Sequence, residues 1–117
     1  MEENKTIELN ADNVKAQMRK GVLEYCILSI LRKGPSYVSP MIAQLKKGQM
    51  IVVEGTLYPL LTRLKNQSLL SYKWEESPSG PPRKYYSLTD RGLESLKLMD
   101  EAWGEVVKTV DYIKNGI

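Results

Sequence analysis

Hydrophobic positions recur along most of this chain with the period of a helix, and two short stretches carry the period of a strand. From about Lys15 to Lys33 apolar residues occupy several faces, which predicts a helix that is buried on more than one side. Gly34 and Pro35 should end that helix. A short helix capped by Ser36 or Ser39 follows, with its apolar positions at Ile42, Ala43 and Leu45.

Residues 49–53 are β-branched in part and form either a short strand or an extended link. The next helix begins near Glu54, because Pro59 lacks an N–H and is tolerated only near a helix start. Leucines spaced i, i+3, i+4 and i+7 form its buried face: Leu57, Leu60, Leu61 and Leu64. The opposite face carries Gly55, Pro59, Thr62 and Asn66.

Two short strands follow this helix, at residues 69–74 and 84–88. Residues 75–82 are rich in serine, glycine and proline and should form the loop between them. Tyr85 and Tyr86 point to opposite faces of a strand, so at least one should be buried. Thr89 then caps another helix, with Asp90 at its positive end. Helix, basic hairpin, helix is the outline of a winged helix-turn-helix, a DNA-binding architecture.

The last helix carries an apolar stripe with alternating spacings of four and three residues. This is the a/d pattern of a coiled-coil seam, and a narrow seam needs a partner helix. A second copy of the same chain is the expected partner, in a two-fold dimer. The alternative is that the helix packs back on its own domain. The predicted interface comprises Leu96, Met99, Trp103, Val106, Val110 and Ile113, with Ile117 at the end of the stripe.

Composition narrows the possible functions. The chain has 117 residues, 42% of them hydrophobic and 26% charged, which suits one modest globular core. No apolar run is long enough for a transmembrane helix and the start does not resemble a signal peptide, so we expect a cytoplasmic protein without a membrane partner. With no histidine and only Cys26, no metal site, cofactor or enzyme activity is expected. Cys26 should be a small core residue, and a reactive thiol is the alternative.

The net charge of +3 is unevenly distributed. Residues 1–14 carry −3, residues 15–91 carry +8 from thirteen bases and five acids, and residues 92–117 carry −2. Concentrated positive charge favours a polyanion, because contacts to phosphates supply most non-specific DNA affinity.

The expected fold class is mainly α with a small β-hairpin: a winged helix-turn-helix domain followed by a C-terminal dimerisation helix. The expected organisation is a polar N-terminal tail at 1–14, the DNA-binding domain at 15–91, and the dimerisation helix at 92–117.

Three motifs carry a resemblance: TLYPLLTRL in the helix after Glu54, GPPRKYYSLTDRG through the hairpin, and EAWGEV in the last helix. In these the chain resembles the PadR family of bacterial transcriptional regulators, in its short form with one C-terminal helix, and it is similar to multidrug-sensing members. The resemblance covers residues 15–114. It implies a winged-helix repressor that dimerises through its last helix and the first helix of the partner.

The chain departs from the family pattern at several positions. Pro82 stands where a further arginine is usual, Thr62 where many members have lysine, and Ser68 where a glycine usually ends the recognition helix. Asn66 is likewise uncharged. A known drug-sensing member has an acid at the position of Val107.

A helix in the major groove needs an apolar back and a front of small or hydrogen-bonding side chains, and a wing needs cations for phosphates. Solvated ends of a strand and a helix are the alternative for the wing cations and for Lys46 with Lys47. The predicted DNA contacts are Thr56, Tyr58, Thr62, Arg63, Asn66, Arg83, Lys84 and Lys46.

Trp103 occupies an a position of the seam. In drug-sensing relatives an aromatic pair at this position sandwiches flat ligands, so the resemblance implies a site for a small planar effector at Trp103, Met99 and Leu23. The alternative is that Trp103 is a packed interface anchor and no pore exists. The expected partners are thus double-stranded DNA, a second copy of the chain and possible effectors of this planar, hydrophobic kind. The alternative function is a winged-helix interaction module without specific DNA binding.

Overall fold

The computed structural model describes residues 10–117, so residues 1–9 of the expected tail lie outside the described part. Within it, the chain forms five helices and one antiparallel hairpin, consistent with a winged-helix fold that is mainly helical. The elements are α1 (Ala11–Arg19), α2 (Leu23–Arg32), α3 (Val38–Lys47), α4 (Glu54–Asn66), β1 (Leu70–Ser77), β2 (Gly80–Leu88) and α5 (Asp90–Asn115).

The single helix predicted from Lys15 to Lys33 is wrong, because the chain breaks between α1 and α2. Gly21 lies in the break, and glycine lowers helix stability by about 1 kcal/mol relative to alanine. No residue of α1 is buried, so no packing holds it in line with α2. Asn10 caps α1 by accepting the N–H of Asn13 at 2.8 Å, which starts this helix earlier than predicted.

The core lies between α2, α3, α4, the base of the hairpin and the start of α5. The leucine face of α4 is confirmed, with Leu60 only half-buried. The face predicted for α3 is partly wrong: Leu45 is buried, but Ala43 is exposed and Met41 takes its place. The fully buried residues, each with zero exposure, are Ile27, Leu28, Met41, Leu57, Leu61, Leu64 and Leu96.

The residues at the ends of α2 and α3 test the predicted helix end at Gly34 and the predicted serine cap. Gly34 follows α2 with φ +147°, as expected of a residue that ends a helix. Tyr37 is the N-cap of α3 and no side chain caps it, so the predicted serine cap is wrong. The hydroxyl of Ser36 instead donates to the carbonyl of Tyr37. Residues 49–53 are an extended link without strand pairing.

The hairpin is longer than predicted. Its strands continue through the expected loop and leave only Pro78 and Ser79 between them, so the loop predicted at 75–82 is wrong. Both strands of a two-stranded sheet are edge strands, and edge strands tolerate proline. The register pairs Tyr72 with Tyr86 and Trp74 with Lys84. We call this hairpin, residues 70–88, the wing.

The junction between α4, the wing and α5 is closely packed. The hydroxyl of Thr89 caps α5 by accepting the N–H of Gly92 at 2.9 Å, and it donates to the carbonyl of Ser68 at 2.7 Å. The cap predicted at Thr89 is therefore confirmed. A Cβ atom on Gly92 would overlap the carbonyl oxygen of Leu69, which explains the glycine at this position.

The rest of α5 extends away from the core. Leu96 is fully buried in the core of its own protomer, so its assignment to an exposed seam is wrong. Beyond Met99, every residue of the predicted stripe is exposed, from Trp103 to Ile117. Across the described residues no helix is long and apolar enough to cross a membrane.

Candidate nucleic-acid interface

One side of α4 is fully exposed and holds three of the predicted DNA contacts. Tyr58, Thr62 and Asn66 line a shallow groove along this side, with Pro59 between them. The leucines on the other side fix the helix to the core, so these side chains project from a rigid base. We call this surface the outward face of α4. It supplies a hydroxyl, a phenol and an amide, which are groups that contact base edges or phosphates.

Two further predicted contacts on α4 reach the side of the helix next to α2, although Arg63 also borders the groove of the outward face. The guanidinium of Arg63 donates to the carboxylate of Glu24 on α2 at 2.8 Å. Thr56 lies on a different side of α4 from Thr62 and lines the cavity beside α2. The structure therefore places Thr56 away from the outward face, while Arg63 borders both the groove and the cavity and pairs with Glu24.

The two predicted wing cations also lie on opposite faces. The guanidinium carbon of Arg83 lies 4.3 Å from the ring centroid of Tyr37, at the start of α3. Lys84 turns to the other face, with its Nζ 4.0 Å from the ring centroid of Tyr72. Each cation is held by an aromatic ring rather than by an acid. Tyr86 is buried and Tyr85 half-buried, as the alternation predicted.

The base of the wing is fixed to the helix-turn-helix. Ser36 and Tyr86 exchange two backbone hydrogen bonds, of 3.0 and 2.8 Å, which form an isolated β-bridge between the segment before α3 and β2. Lys46 lies exposed in the last turn of α3, where the helix dipole also favours a cation, so both interpretations of this lysine stay open.

The predicted effector residues do come together. Leu23 of α2 with Met99 and Trp103 of α5 line an open cavity of about 640 Å³ between α2, α4 and α5. Its apolar walls also include Leu60, and the ion pair of Glu24 with Arg63 lies at its edge. The cavity is present in a single protomer. Its volume falls within the range of about 300–1,000 Å³ that is typical of ligand sites.

A cluster of hydrogen-bonded polar side chains joins α2 to α5 next to the cavity. Asp100 accepts hydrogen bonds from Tyr25 at 2.6 Å and from Arg32 at 2.7 Å, which joins α5 to α2. The hydrogen bond from Tyr25, followed by that from Arg32, lowers the pKa of Asp100. The same bond raises the pKa of Tyr25. The ring of Tyr25 lies 6.3 Å from that of Trp103, so the cluster also positions the indole.

Cys26 is half-buried against the core, and burial raises the pKa of its thiol. A raised pKa leaves less of the reactive thiolate at neutral pH, which agrees with a structural role. In the part of the chain that the structure describes, no group of cysteine and acidic side chains is arranged to hold a metal ion.

Sequence reasoning overlooked Tyr72 and Trp74 on the first strand of the wing. Both lie on the face that carries Lys84, and both are exposed. The alternation of side chains along residues 70–76 predicts their position, because it places Leu70, Tyr72 and Trp74 on one side of the strand. Reasoning from the sequence alone also missed Glu24, whose partner Arg63 is 39 positions away.

Comparisons with known proteins point in one direction. The sequence model of the family described as "Transcriptional regulator PadR-like family" matches residues 27–98. A PadR-like transcription factor of known structure from Bacteroides fragilis is 60% identical; the match covers 87% of this chain and 99% of that one, with a TM-score of 0.73.

Two further structures are similar over most of their length. A PadR-like transcriptional regulator from Bacillus cereus is 41% identical, with 86% of this chain and 99% of that one covered and a TM-score of 0.76. A PadR family transcriptional regulator from Eggerthella lenta is 33% identical, with 89% and 91% covered and a TM-score of 0.81.

Proposed function

Because this chain belongs to the PadR-like family of transcriptional regulators, we propose that it is a repressor that binds a palindromic operator as a homodimer. In this proposal residues 15–91 are the DNA-binding domain and residues 92–117 the dimerisation helix, with residues 1–14 as an N-terminal tail. The protein would act in the cytoplasm, where the chromosomal DNA of a bacterium lies.

The observation that carries the proposal is the outward face of α4. Tyr58, Thr62 and Asn66 are exposed together on a helix whose other side is fixed by buried leucines. A major groove admits such a helix, and amide and hydroxyl groups read base edges there. Lys84 and Arg83 on the wing then contact phosphates, with Lys46 as a further cation at the end of α3.

The exposed part of α5 supports a dimer. Trp103, Val106, Val110 and Ile113 leave at least 45% of their surface exposed along one long helix, and Val107 adds to this strip. A continuous apolar strip of this kind is unusual on a monomer and is typical of an interface. Two-fold pairing through α5 would place two copies of α4 on one duplex, and a palindromic site mirrors that symmetry.

A small planar effector is the second part of the proposal. The cavity between α2, α4 and α5 offers the exposed indole of Trp103 and the thioether of Met99, both of which suit flat apolar molecules. Leu23 completes the apolar wall. A ligand in the cavity would also touch Thr56 and Leu60 of α4, which connects the effector to the helix proposed to read the DNA.

Binding to a duplex tests the regulatory proposal directly. A duplex selected by the protein from a random-sequence pool should contain an inverted repeat, and its affinity should fall steeply with salt. Fluorescence anisotropy of the labelled duplex between about 50 and 200 mM salt measures both properties. If no duplex is recovered, or if the affinity does not change with salt concentration, the alternative of a winged-helix interaction module without specific DNA binding is favoured instead.

The effector is tested separately by the fluorescence of Trp103 in a Trp74→Phe variant, in which it is the remaining tryptophan. A planar dye should quench this emission in a saturable manner, and Met99→Ala should weaken the quenching. Emission that does not respond at high dye concentration would remove the effector from the proposal and leave the DNA-binding part intact.

A further inference from the structure

An exposed surface of the wing combines aromatic rings with lysines. Tyr72 and Trp74 of β1 lie on the same side of the hairpin as Lys84 and Tyr86 of β2, because the register pairs Tyr72 with Tyr86 and Trp74 with Lys84. The inner end of this side, at Tyr86, is buried in the core. The outer end is exposed, with 63% of Trp74 and 38% of Tyr72 accessible to solvent. We call Tyr72, Trp74 and Lys84 the aromatic wing face.

Cations surround the rings of this face. The Nζ of Lys84 lies 4.0 Å from the centroid of Tyr72 and 5.7 Å from that of Trp74. Lys65, in the last turn of α4, places its Nζ 5.8 Å from the ring of Tyr72. The acid of the neighbouring strand position, Glu75, pairs with Lys73 on the opposite side at 3.4 Å. The aromatic wing face thus combines apolar rings with two cations, and Glu76, two residues beyond Trp74 on β1, is the exposed acid at its outer end.

This face continues the outward face of α4. Lys65 belongs to α4 and reaches the ring of Tyr72, so the end of the helix and the wing meet there. The ring of Tyr72 in turn lies 5.9 Å from that of Tyr86, which is buried in the core. A duplex lying along the outward face of α4 would therefore extend over the aromatic wing face.

The chemistry of the face matches the DNA backbone, in which anionic phosphates alternate with apolar deoxyribose rings. Lys84 beside the exposed indole, together with Lys65 beside Tyr72, complements that alternation, and minor-groove binders commonly combine cations with apolar side chains. A second copy of this chain is a poor occupant, because Lys65 and Lys84 would then face the lysines of the copy. An apolar small molecule would leave both cations without a counter-charge.

We propose that Trp74 is a DNA-contacting residue that packs on deoxyribose at the minor-groove edge, while Lys84 and Lys65 bind the flanking phosphates. This inference rests on the proposed function and adds to it an apolar contact that positions the wing. The contact is independent of base sequence, so it strengthens binding to every duplex that α4 engages.

Salt dependence separates the two kinds of contact. Trp74→Ala should weaken binding about fivefold at every salt concentration, because an apolar contact releases no counterion. Lys84→Gln should also weaken binding, but it should reduce the slope of log affinity against log salt by about 0.9. Trp74→Phe should restore most of the affinity. Leu98→Ala, which truncates an equally exposed apolar residue on α5, is the matched control and should change nothing.

Fluorescence gives an independent readout. In a Trp103→Phe variant Trp74 is the remaining tryptophan, and addition of the selected duplex should quench its emission and shift it to shorter wavelength. Equal affinities of wild type and Trp74→Ala for that duplex, with unchanged emission, would overturn the assignment of Trp74 while leaving the regulator intact.

Two other results would also overturn the assignment. If wild type binds no duplex, the proposed function and this inference both fall. If Trp74→Ala changes the sedimentation coefficient of the free protein, the aromatic wing face contacts another copy of the chain instead of DNA.

Discussion

Gly92 shows how one residue determines the position of a whole helix. The first turn of α5 approaches the carbonyl of Leu69 so closely that a Cβ atom has no room. Because the obstacle is backbone, the neighbour cannot move aside as a flexible side chain would. Because position 92 is glycine, the start of α5 packs directly against the end of α4 and the wing.

We expect Gly92→Ala to lower the free energy of unfolding by about 1–3 kcal/mol, the usual effect of overpacking. Urea denaturation measures the change. Gly104→Ala, in the same helix but facing open space, is the matched control and should instead raise stability by about 0.5–1 kcal/mol. If the two substitutions change stability equally, helix propensity determines the effect at position 92, and the close approach of Gly92 to the carbonyl of Leu69 does not.

The hydrogen bond from Tyr25 to Asp100 should make stability depend on pH at both extremes. Asp100 has a lowered pKa, so its contribution is present above about pH 4 and is lost as pH falls through the lowered value. Tyr25 has a raised pKa, so its contribution is present below about pH 10 and is lost as pH rises through the raised value.

Tyr25→Phe should therefore lower the melting temperature at neutral pH and approach the wild type at both extremes of pH. Tyr112→Phe, on the exposed part of α5, is the control and should follow the wild-type profile throughout. A constant difference between Tyr25→Phe and wild type at all pH values would show that packing of the ring, and not the hydrogen bond, accounts for the loss.

At the scale of elements, α4 presents two working sides. Its outward face, which we propose for DNA, is exposed, while Thr56, Leu60 and Arg63 line the cavity on the other side. The ion pair between Arg63 and Glu24 connects α4 to α2 across that cavity. Since both side chains are partly exposed, the pair itself adds little to stability, about 0–1 kcal/mol. We expect the ion pair to affect the affinity for DNA instead.

Glu24→Gln should increase duplex affinity, because it removes an acid and frees the guanidinium of Arg63 for a phosphate. The salt slope should become steeper by about 0.9, as expected for one added contact. Glu94→Gln makes the same change of charge on the exposed side of α5 and controls for net charge. An unchanged slope in Glu24→Gln would show that Arg63 stays away from the DNA.

The sequence predicted α4 and the start of α5 well, for local reasons. Leucine spacing and Pro59 placed the helix at Glu54, and Thr89 signalled the cap of α5. Other features depend on contacts between distant residues. The helix α1 ends at Arg19, shortly before Gly21, and none of its residues is buried in the described part of the chain. The prolines of β2 are tolerated because the wing has only edge strands.

The candidate site was predictable to a similar extent. Position along α4 identified Thr62 and Asn66, but the partner of Arg63 depends on how α2 crosses α4. On the wing, the prediction groups Arg83 with Lys84, although adjacent residues of a strand face opposite sides. Applying the alternation to both strands would have separated them and drawn attention to Trp74.

At the scale of the whole molecule, the exposed part of α5 is the surface that the proposed dimer would bury. We expect Val110→Glu to convert the proposed dimer to monomers, because it buries a charge in the apolar strip. Sedimentation velocity at micromolar concentration measures this. Lys108→Glu places the same side chain on the polar side of α5 and should leave the dimer intact. Single chains in the wild type itself would contradict the proposed dimer.

In the proposed function one helix forms both the wall of the cavity and the surface for DNA, so the two ligands would obey thermodynamic reciprocity. If an occupant of the cavity weakens operator binding by some factor, the operator weakens that occupant by the same factor. Protein engaged on its operator would then respond only at higher effector concentrations than free protein. The threshold for induction would thus rise with the number of operator copies in the cell.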